Sequence, residues 1–382
     1  MTERLYFTDS HLSEFSAAVT GCIRTEKLYE IALDRSAFFP EGGGQKGDSG
    51  YIGSVRVLDT LERGGEVFHI AAQPVSVGSI CDCRIDWAQR FSRMQSHSGE
   101  HIVSGIVHGD YGFENVGFHM GEDGMIVDFS GYLTEDELKL VEFKANRAIW
   151  ENRRITARFP SPDELRAMDY RSKLELTENV RIVEIEGLDL CACCAPHVSF
   201  TGEIGMIRIL ESIRRRDGVR IRMLAGEAAY LEAAESSREL RRVSSLLSVK
   251  PEGALTAVED VLRKRDELSY RLGGFKRAEI ARFAENIGYT EDNLLLFRPD
   301  FDLDELRLLA NSVLPKCGKM VCGFTGSDSE GYKYVIAQRG GDLREKAKEL
   351  NALLRGRGGG KPEMIQGSFS ATEEEIRKVL EK

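Results

Sequence analysis

The chain has 382 residues, 42% of them hydrophobic and 30% charged, and 52 Lys and Arg against 62 Asp and Glu give a formal net charge of −10. That length exceeds one ordinary core and predicts two to four domains, while the acidic balance excludes a protein that coats nucleic acid through bulk electrostatics, though not a local basic patch. Without a secretory leader or a membrane-length apolar window, a cytoplasmic protein with no membrane partner is expected, and its eight Cys read as reduced thiols and metal ligands rather than a disulfide framework.

Residues 1–86 read as a β-barrel-like domain of short alternating runs at 19–25, 28–33, 54–58, 67–71 and 79–85, separated by Gly- and charge-rich turns. Inside lies Phe38-Phe39-Pro40-Glu41-Gly42-Gly43-Gly44-Gln45. Successive glycines let backbone amides approach a ligand closely, or simply make a mobile hairpin. The period then changes, and residues 87–108 predict a helix with Phe91, Met94, His97, His101 and Ile102 on one inward stripe. His97 and His101 are four apart, so their imidazoles project from one face, one turn above the other. A strand at 125–129 follows, then a helix opened by the Thr134–Glu137 capping box and a short helix with Ser161 as cap and Pro162 first. A strand at 180–185 delivers the chain into Cys191-Ala-Cys-Cys-Ala-Pro-His197. Strands at 206–210 and 219–224 complete an α+β domain over 87–226.

His97, His101, Cys193 and His197 form a tetrahedral nitrogen and sulfur set of the kind zinc accepts, in a chain with only seven His. Cys191 and Cys194 are near alternatives to Cys193, and Cys81 with Cys83 is a remote one. A closed four-ligand set is the usual mark of a structural site, whereas an exchangeable position makes the ion a catalyst. His97-Ser-Gly-Glu-His101 also has the His-x-x-Glu-His form of inverted zinc peptidases, with Glu100 as general base. Such an enzyme needs a downstream carboxylate ligand on a helix, and here the downstream feature is Cys and His in a loop. Arg214, Arg215 and Arg216, with Arg220 and Arg222, make the densest basic patch, which reads as a solvated strand edge or a nucleic-acid contact.

Residues 227–288 are rich in Ala, Leu, Glu and Arg and keep three-to-four apolar spacing through Leu240, Val243, Leu247, Val258 and Leu262, broken at Lys250-Pro-Glu-Gly253. This predicts a helical hairpin or coiled coil, packed on its own chain or on a second copy. Residues 289–382 alternate strand, helix, strand, strand, helix, as in a small α/β domain. Its Gly-rich stretch at 356–367 lacks Walker or dinucleotide spacing. With Arg355, Arg357 and Lys361 it is read as a loop that holds a phosphate backbone or turns freely.

Phe39-Pro-Glu-Gly-Gly-Gly-Gln45, the His97/His101 pair, Cys193-x-x-x-His197, Thr201-Gly-Glu-Ile-Gly205 and Gly218-Val-Arg-Ile-Arg222 together resemble the editing domain of alanyl-tRNA synthetases and the freestanding AlaX editing proteins. The stretch at 356–367 resembles the DHHA1 domain that ends those synthetases, so the likeness covers essentially the whole chain. It implies one zinc ion per chain on His97, His101, Cys193 and His197. It also implies Gln45 near the scissile ester, Ser36 in place of the family's Thr with its hydroxyl toward a serine substrate, and Gly42, Gly43 and Gly44 amides toward the carbonyl or ribose. The family often reads Cys-Gly-Gly-Thr-His where this chain has Cys193-Cys-Ala-Pro-His197, so that loop keeps its spacing but not its Gly and Thr. The implied function is deacylation of tRNA for alanine mischarged with serine or glycine, with Arg214, Arg215, Arg216, Arg220, Arg222, Arg357 and Lys361 on the tRNA. A homodimer through the hairpin or final domain stays open. The alternative is a non-catalytic tRNA-binding protein with a structural zinc.

Overall fold

Between residues 14 and 85 the alternation of apolar and polar side chains closes a sheet on itself. In the computed structural model, which describes residues 2–121, 123–172 and 179–381, strands Glu14–Arg24, Tyr29–Leu33, Glu66–Ala71, Val55–Arg63, Gly50–Ile52 and Ile80–Ile85 follow one another around a closed barrel. Val19, Ile31, Leu33, Ile52, Val57, Ala71 and Ile85 fill its interior with Phe38. Each of these side chains except Ala71 contributes about 1.5–3 kcal/mol by burial. Closure leaves no free edge, so the long segment between Ser36 and Gly50 projects as a loop carrying the three glycines.

Helix α1 (Trp87–Tyr111) runs three residues past the expected end and stops where Gly112, at φ 70°, caps it through its N–H to the His108 carbonyl. Helix α2 (Glu135–Trp150) opens on the Thr134 capping box. Both pack on an antiparallel sheet ordered Ile207–Arg215, Gly218–Ala225, Gly124–Phe129 and Asn115–Gly121. Ile102, Val103, Ile106, Val127, Phe129, Val141, Ile221 and Met223 form that core. After the short α3 (Pro162–Ala167), a second sheet of Ile155–Arg158, Ile182–Ile185 and Asp189–Ala192 lies against the later turns of α1. The approach is closest at Gly105, where a Cβ would sit 2.8 Å from both the Leu188 carbonyl and the Asp189 Cβ.

The chain divides into two compact units, residues 1–240 and 241–382, with α4 (Glu227–Leu246) crossing the division and α5 (Ala254–Asn286) in the second. The second unit holds a five-stranded sheet ordered Leu294–Phe297, Met320–Ser327, Gly331–Gln338, Met364–Phe369 and Arg357–Lys361. It is flanked by α6 (Leu303–Val313), α7 (Leu343–Leu353) and α8 (Glu373–Leu380), the last opened by a Thr372 capping box that the sequence reading passed over. The Gly-rich stretch read as a loop is instead an edge strand. Arg357 to Lys361 pair residue by residue with Ser368 to Met364, so a backbone ladder overrides the usual loop preference of glycine. Among the described residues, no helix is long and apolar enough to cross a membrane.

A buried carboxylate, Asp48, joins the barrel loop to α1 by pairing with Arg90 and, at 3.6 Å, with Arg93. Arg90 is fully buried, and its guanidinium contacts Asp48 Oδ2 through both Nε (2.8 Å) and Nη2, as well as the Ala37 (2.5 Å) and Ser10 (3.1 Å) carbonyls. The Phe39 N–H donates to the same Asp48 oxygen at 2.7 Å. Removing one partner of a buried pair strands the other charge, so Asp48→Ala is expected to lower stability by about 3–5 kcal/mol in denaturant titrations of the full chain. The double variant Asp48→Leu, Arg90→Met removes both charges and is expected to recover most of that loss.

Candidate metal centre

Helical spacing sets the His97 and His101 rings on one face of α1 with centroids 5.5 Å apart. The segment after Asp189–Ala192 brings His197 against both, 5.0 Å from His97 and 4.6 Å from His101. Cys193 Sγ lies 3.5 Å from His97 Nε2 and 3.4 Å from His197 Nε2. All four donor atoms fall within 4.8 Å of one another. Tetrahedral zinc, with bonds of about 2.0–2.1 Å to nitrogen and 2.3 Å to sulfur, requires N···S separations of about 3.6 Å. The donor set and its spacing fit, and the cluster can hold a metal ion.

Each imidazole is also tied at its far nitrogen. His97 Nδ1 donates to Gln45 Oε1 at 3.1 Å, His197 Nδ1 to Ser98 Oγ at 3.0 Å, and His101 Nδ1 to Asp189 Oδ2 at 3.0 Å. In the neutral tautomers those bonds leave each Nε2 a lone pair for a metal ion, and they fix each ring's rotation. Asp189 is in turn held by Arg171, Nε to Oδ1 at 2.7 Å and Nη2 to Oδ2 at 2.9 Å. The Cys loop is clamped from both sides. Arg181 Nη1 donates to the Cys193 and Ala195 carbonyls at 3.0 and 2.8 Å, and Ser10 Oγ donates to the His197 carbonyl at 2.7 Å.

Burial is the largest influence on Cys193 and opposes its ionisation. His97 and His197 beside it, with hydrogen bonds from His101 and His197, together still hold the thiol well below its ordinary range. Burial likewise opposes charge on His101, yet Cys191, Asp189 and Cys193 hold that imidazole well above 6.5. Burial pushes His197 down to about 3. A thiolate beside a protonated His101 is therefore the favoured charge arrangement, and an entering cation displaces that proton. His101, Asp189 and Cys191 also lie close enough to form a group. There Asp189 is engaged by Arg171, and burial raises the Cys191 thiol, so this trio supports His101 instead of holding a second ion. Cys83 lies in the barrel core, its thiol pushed up to about 12 by burial.

The glycine hairpin sits beside the cluster. Gly42 and Gln45 exchange backbone hydrogen bonds at 3.0 Å, with Gly43 and Gly44 at φ 60° and 81° between them. A Cβ on Gly43 would lie 3.7 Å from Cys194 Sγ and 3.9 Å from His97 Cε1. The Gly43 and Gly44 N–H groups have no hydrogen-bond partner among the described residues, and both glycines are exposed. Gln45 is 1% exposed, and its Nε2 has no partner among the described residues.

Most other expected site residues already have protein partners. Ser36 is fully buried; its Oγ donates to His69 Nε2 at 2.8 Å and accepts the Phe38 N–H at 3.1 Å, so both of its roles are taken within the barrel. Glu100 Oε1 accepts from Ser104 Oγ at 2.5 Å and from Asn115, and its other oxygen lies 3.9 Å from His101 Nε2. Arg214 stacks on Tyr132 with its guanidinium 4.8 Å from the ring centroid. Arg220 grips Asp128 through two 2.7 Å bonds, and Arg222 pairs with Glu211 at 2.7 Å. Arg215 and Arg216 are exposed at the hairpin tip, eight residues along the strand from Ile207 and hence roughly 25 Å from the end packed on α1. Arg357 and Lys361 are exposed on the edge strand of the second unit. Sequence reasoning missed Asp189, Arg171, Ser98 and Arg181. A lone carboxylate in the apolar run Leu188-Asp-Leu-Cys191 was the one available sign of the first.

An α+β unit whose buried His and Cys cluster can hold a metal ion, followed by a small α/β unit, thus defines the molecule's class. Comparison with known proteins agrees: residues 180–222 match the threonyl and alanyl tRNA synthetase second additional domain, and residues 291–382 match the DHHA1 domain. The chain is a homologue, along its full length, of alanyl-tRNA editing protein AlaX-L from Pyrococcus horikoshii, with 28% identity covering 100% of this chain and 98% of that protein. Alanyl-tRNA editing protein Aarsd1-A from Xenopus laevis is 27% identical, over 97% of this chain and 92% of its own length. The alanine–tRNA ligase of Thermococcus kodakarensis is 31% identical over 99% of this chain, which spans 44% of that ligase.

Purified chain is expected to bind one zinc ion, and Cys193→Ala to abolish that binding, as read by metal analysis after dialysis. Asp189→Asn keeps the four ligands but frees the His101 ring, so affinity is expected to fall about 10–100-fold. Because the proton on His101 competes with the cation, affinity measured against a chelator is expected to rise as the pH is raised above the ordinary imidazole value of 6.5.

Proposed function

We propose that the chain is a trans-editing hydrolase that deacylates tRNA for alanine mischarged with serine or glycine, at a zinc site on His97, His101, Cys193 and His197. The observation that carries this reading is the placement of that cluster against exposed hairpin amides and an unpartnered Gln45 donor. The names of its full-length relatives, both alanyl-tRNA editing proteins, point the same way. The reaction answers a physical need. An alanine pocket cannot exclude the smaller glycine and rejects serine only modestly, because one added hydroxyl is a weak steric signal.

Zinc, when bound, supplies a Lewis acid that polarises an ester carbonyl or holds a substrate amine. The chain's own groups do the rest. Gly43 and Gly44 N–H groups donate to the oxygen on which negative charge develops, as fixed dipoles that need no reorganisation. Gln45 orients His97 through Oε1 and offers Nε2 to a substrate oxygen. Asp189 and Ser98 hold the other two rings. Arg215, Arg216, Arg357 and Lys361 contact tRNA phosphates. With Ser36 engaged by His69, Gln45 takes over as the donor nearest the substrate. A closed set of four protein ligands favours a second reading, a tRNA-binding protein with structural zinc.

A deacylation assay on the full chain with Ser-, Gly- and Ala-charged tRNA separates the two. Release of serine with alanine retained is expected, and retained metal with no release selects the second reading. Gln45→Ala is expected to lower kcat/KM for seryl-tRNA about 100-fold with metal content unchanged. Undiminished turnover by His97→Ala overturns the zinc-dependent mechanism. Replacing Arg215 and Arg216 with Ala is expected to reduce the slope of log affinity against log salt for tRNA by about 1–2.

A further inference from the structure

Glu100 is a buried carboxylate, 4% exposed, on α1 between His97 and His101. Its two oxygens are unequally occupied. Oε1 is held by neutral donors, the Ser104 hydroxyl at 2.5 Å and the Asn115 amide. Oε2 has no hydrogen-bond donor among the described residues and lies 3.9 Å from His101 Nε2, the nitrogen offered to the cluster. No Lys or Arg stands within ion-pair distance of Glu100 among the described residues. Asp189, the other buried carboxylate at the cluster, already has Arg171 on both oxygens. A buried carboxylate held by neutral donors alone keeps much of its desolvation cost until a cation reaches it. Glu100 is the anion left short of a counter-charge.

Its position relative to the glycine hairpin indicates which cation. Asn115 opens the strand Asn115–Gly121, and three residues along it the Phe118 ring packs against both Gly44 and His97. Three strand residues cover roughly 10 Å. The α-amine and the carbonyl oxygen of an aminoacyl ester, with a hydrogen bond at each, span roughly 9 Å. The hairpin donors, Gly43 and Gly44 N–H and Gln45 Nε2, suit the carbonyl oxygen and repel an ammonium group. The amine requires an acceptor instead, and a hydrogen bond between charged partners is roughly twice as strong as a neutral one. One ester group therefore bridges the hairpin donors and the Glu100 anion.

We infer that Glu100 holds the α-ammonium group of the aminoacyl ester and so positions its carbonyl oxygen toward the hairpin donors. The inference rests on the editing reading for the identity of that ester. The test is calorimetric binding of two non-hydrolysable probes to the full chain. One is the 3′-amide analogue of seryl-adenosine, the other its glyceroyl counterpart, in which a hydroxyl replaces the amine. Glu100→Gln keeps an acceptor for Ser104 and Asn115 but removes the charge, whereas Glu100→Asp keeps the charge and withdraws it by one methylene. Metal content of each protein reports that the cluster is intact. Wild type is expected to prefer the amine probe about tenfold or more, Glu100→Gln to lose that preference and Glu100→Asp to retain part of it. A role confined to packing α1 against Asn115 leaves the preference unchanged in Glu100→Gln, and that result overturns the inference. So does a wild type that binds the two probes equally or not at all. Equal weakening of both probes together with metal loss in Glu100→Gln assigns the carboxylate to the metal and likewise overturns it. If Glu100→Gln loses the preference while wild type releases no serine from seryl-tRNA, the Glu100 assignment stands and the editing reading fails. If wild type releases serine and the preference survives in Glu100→Gln, only the Glu100 assignment fails.

Discussion

A histidine ligates through one nitrogen only when something else decides what the other does, and in this protein that constraint organises the first unit. Gln45 comes from the barrel loop, Ser98 from α1 itself and Asp189 from the three-stranded sheet, and each holds the Nδ1 of one ligand ring. The three layers therefore meet at the cluster through hydrogen bonds as well as through apolar packing. Gly105 makes this possible on one side, since a side chain there would push the Asp189 strand away from α1. Each of these bonds involves a buried polar group, so leaving any of them unmade costs about 1–3 kcal/mol. The geometry of the ligands and the docking of the layers are thus held by the same contacts.

The barrel side depends on a different device. A loop of three glycines gives up much conformational entropy when ordered, and its flanks supply little apolar area. The Asp48–Arg90 pair supplies the anchor: one carboxylate oxygen binds both α1 and the Phe39 amide, three residues before the first hairpin glycine. Buried ion pairs give little net stability compared with apolar residues of the same shape. What this one adds is register. It fixes the loop at one depth along α1, where Gln45 reaches His97 two turns after Arg90.

Local features carried the sequence reading furthest. The His97/His101 pair and the capping boxes at Thr134 and Ser161 are i, i+3 or i, i+4 patterns, whose physics lies inside one turn of helix. Asp189 meets His101 from 88 residues away, and no spacing rule connects them. The Gly-rich stretch at 357–361 was misread for a related reason. Its strand character comes from the ladder with residues 364–368, while its own residues carry almost no strand propensity. Ser36 shows the limit of transfer by resemblance. The likeness supplied a position, but the short pairing of Arg35–Ser36 with Glu3–Arg4 turns that side chain into the barrel, where His69, whose Nδ1 donates to the Ile31 carbonyl, is ready to accept its proton.

Gln45 shows how a closed set of four candidate ligands can still leave a donor free for a group from outside the protein. His97 Nδ1–H requires an acceptor, and the amide oxygen supplies it. Once Oε1 faces the ring, the amide geometry aims Nε2 elsewhere, and no protein group receives it among the described residues. A carboxylate at this position would orient His97 equally well without a donor left over, and an apolar residue would do neither. Leaving a buried N–H unpaired costs about 1–3 kcal/mol, a penalty removed only when an oxygen from outside the protein accepts it. The same residue that aligns a metal ligand is thereby left short of one partner at the point where the glycine amides are also unmatched. Several donors share that deficit beside a cluster that can hold a metal ion, and a group with two acceptor oxygens, such as an ester, is able to satisfy them together.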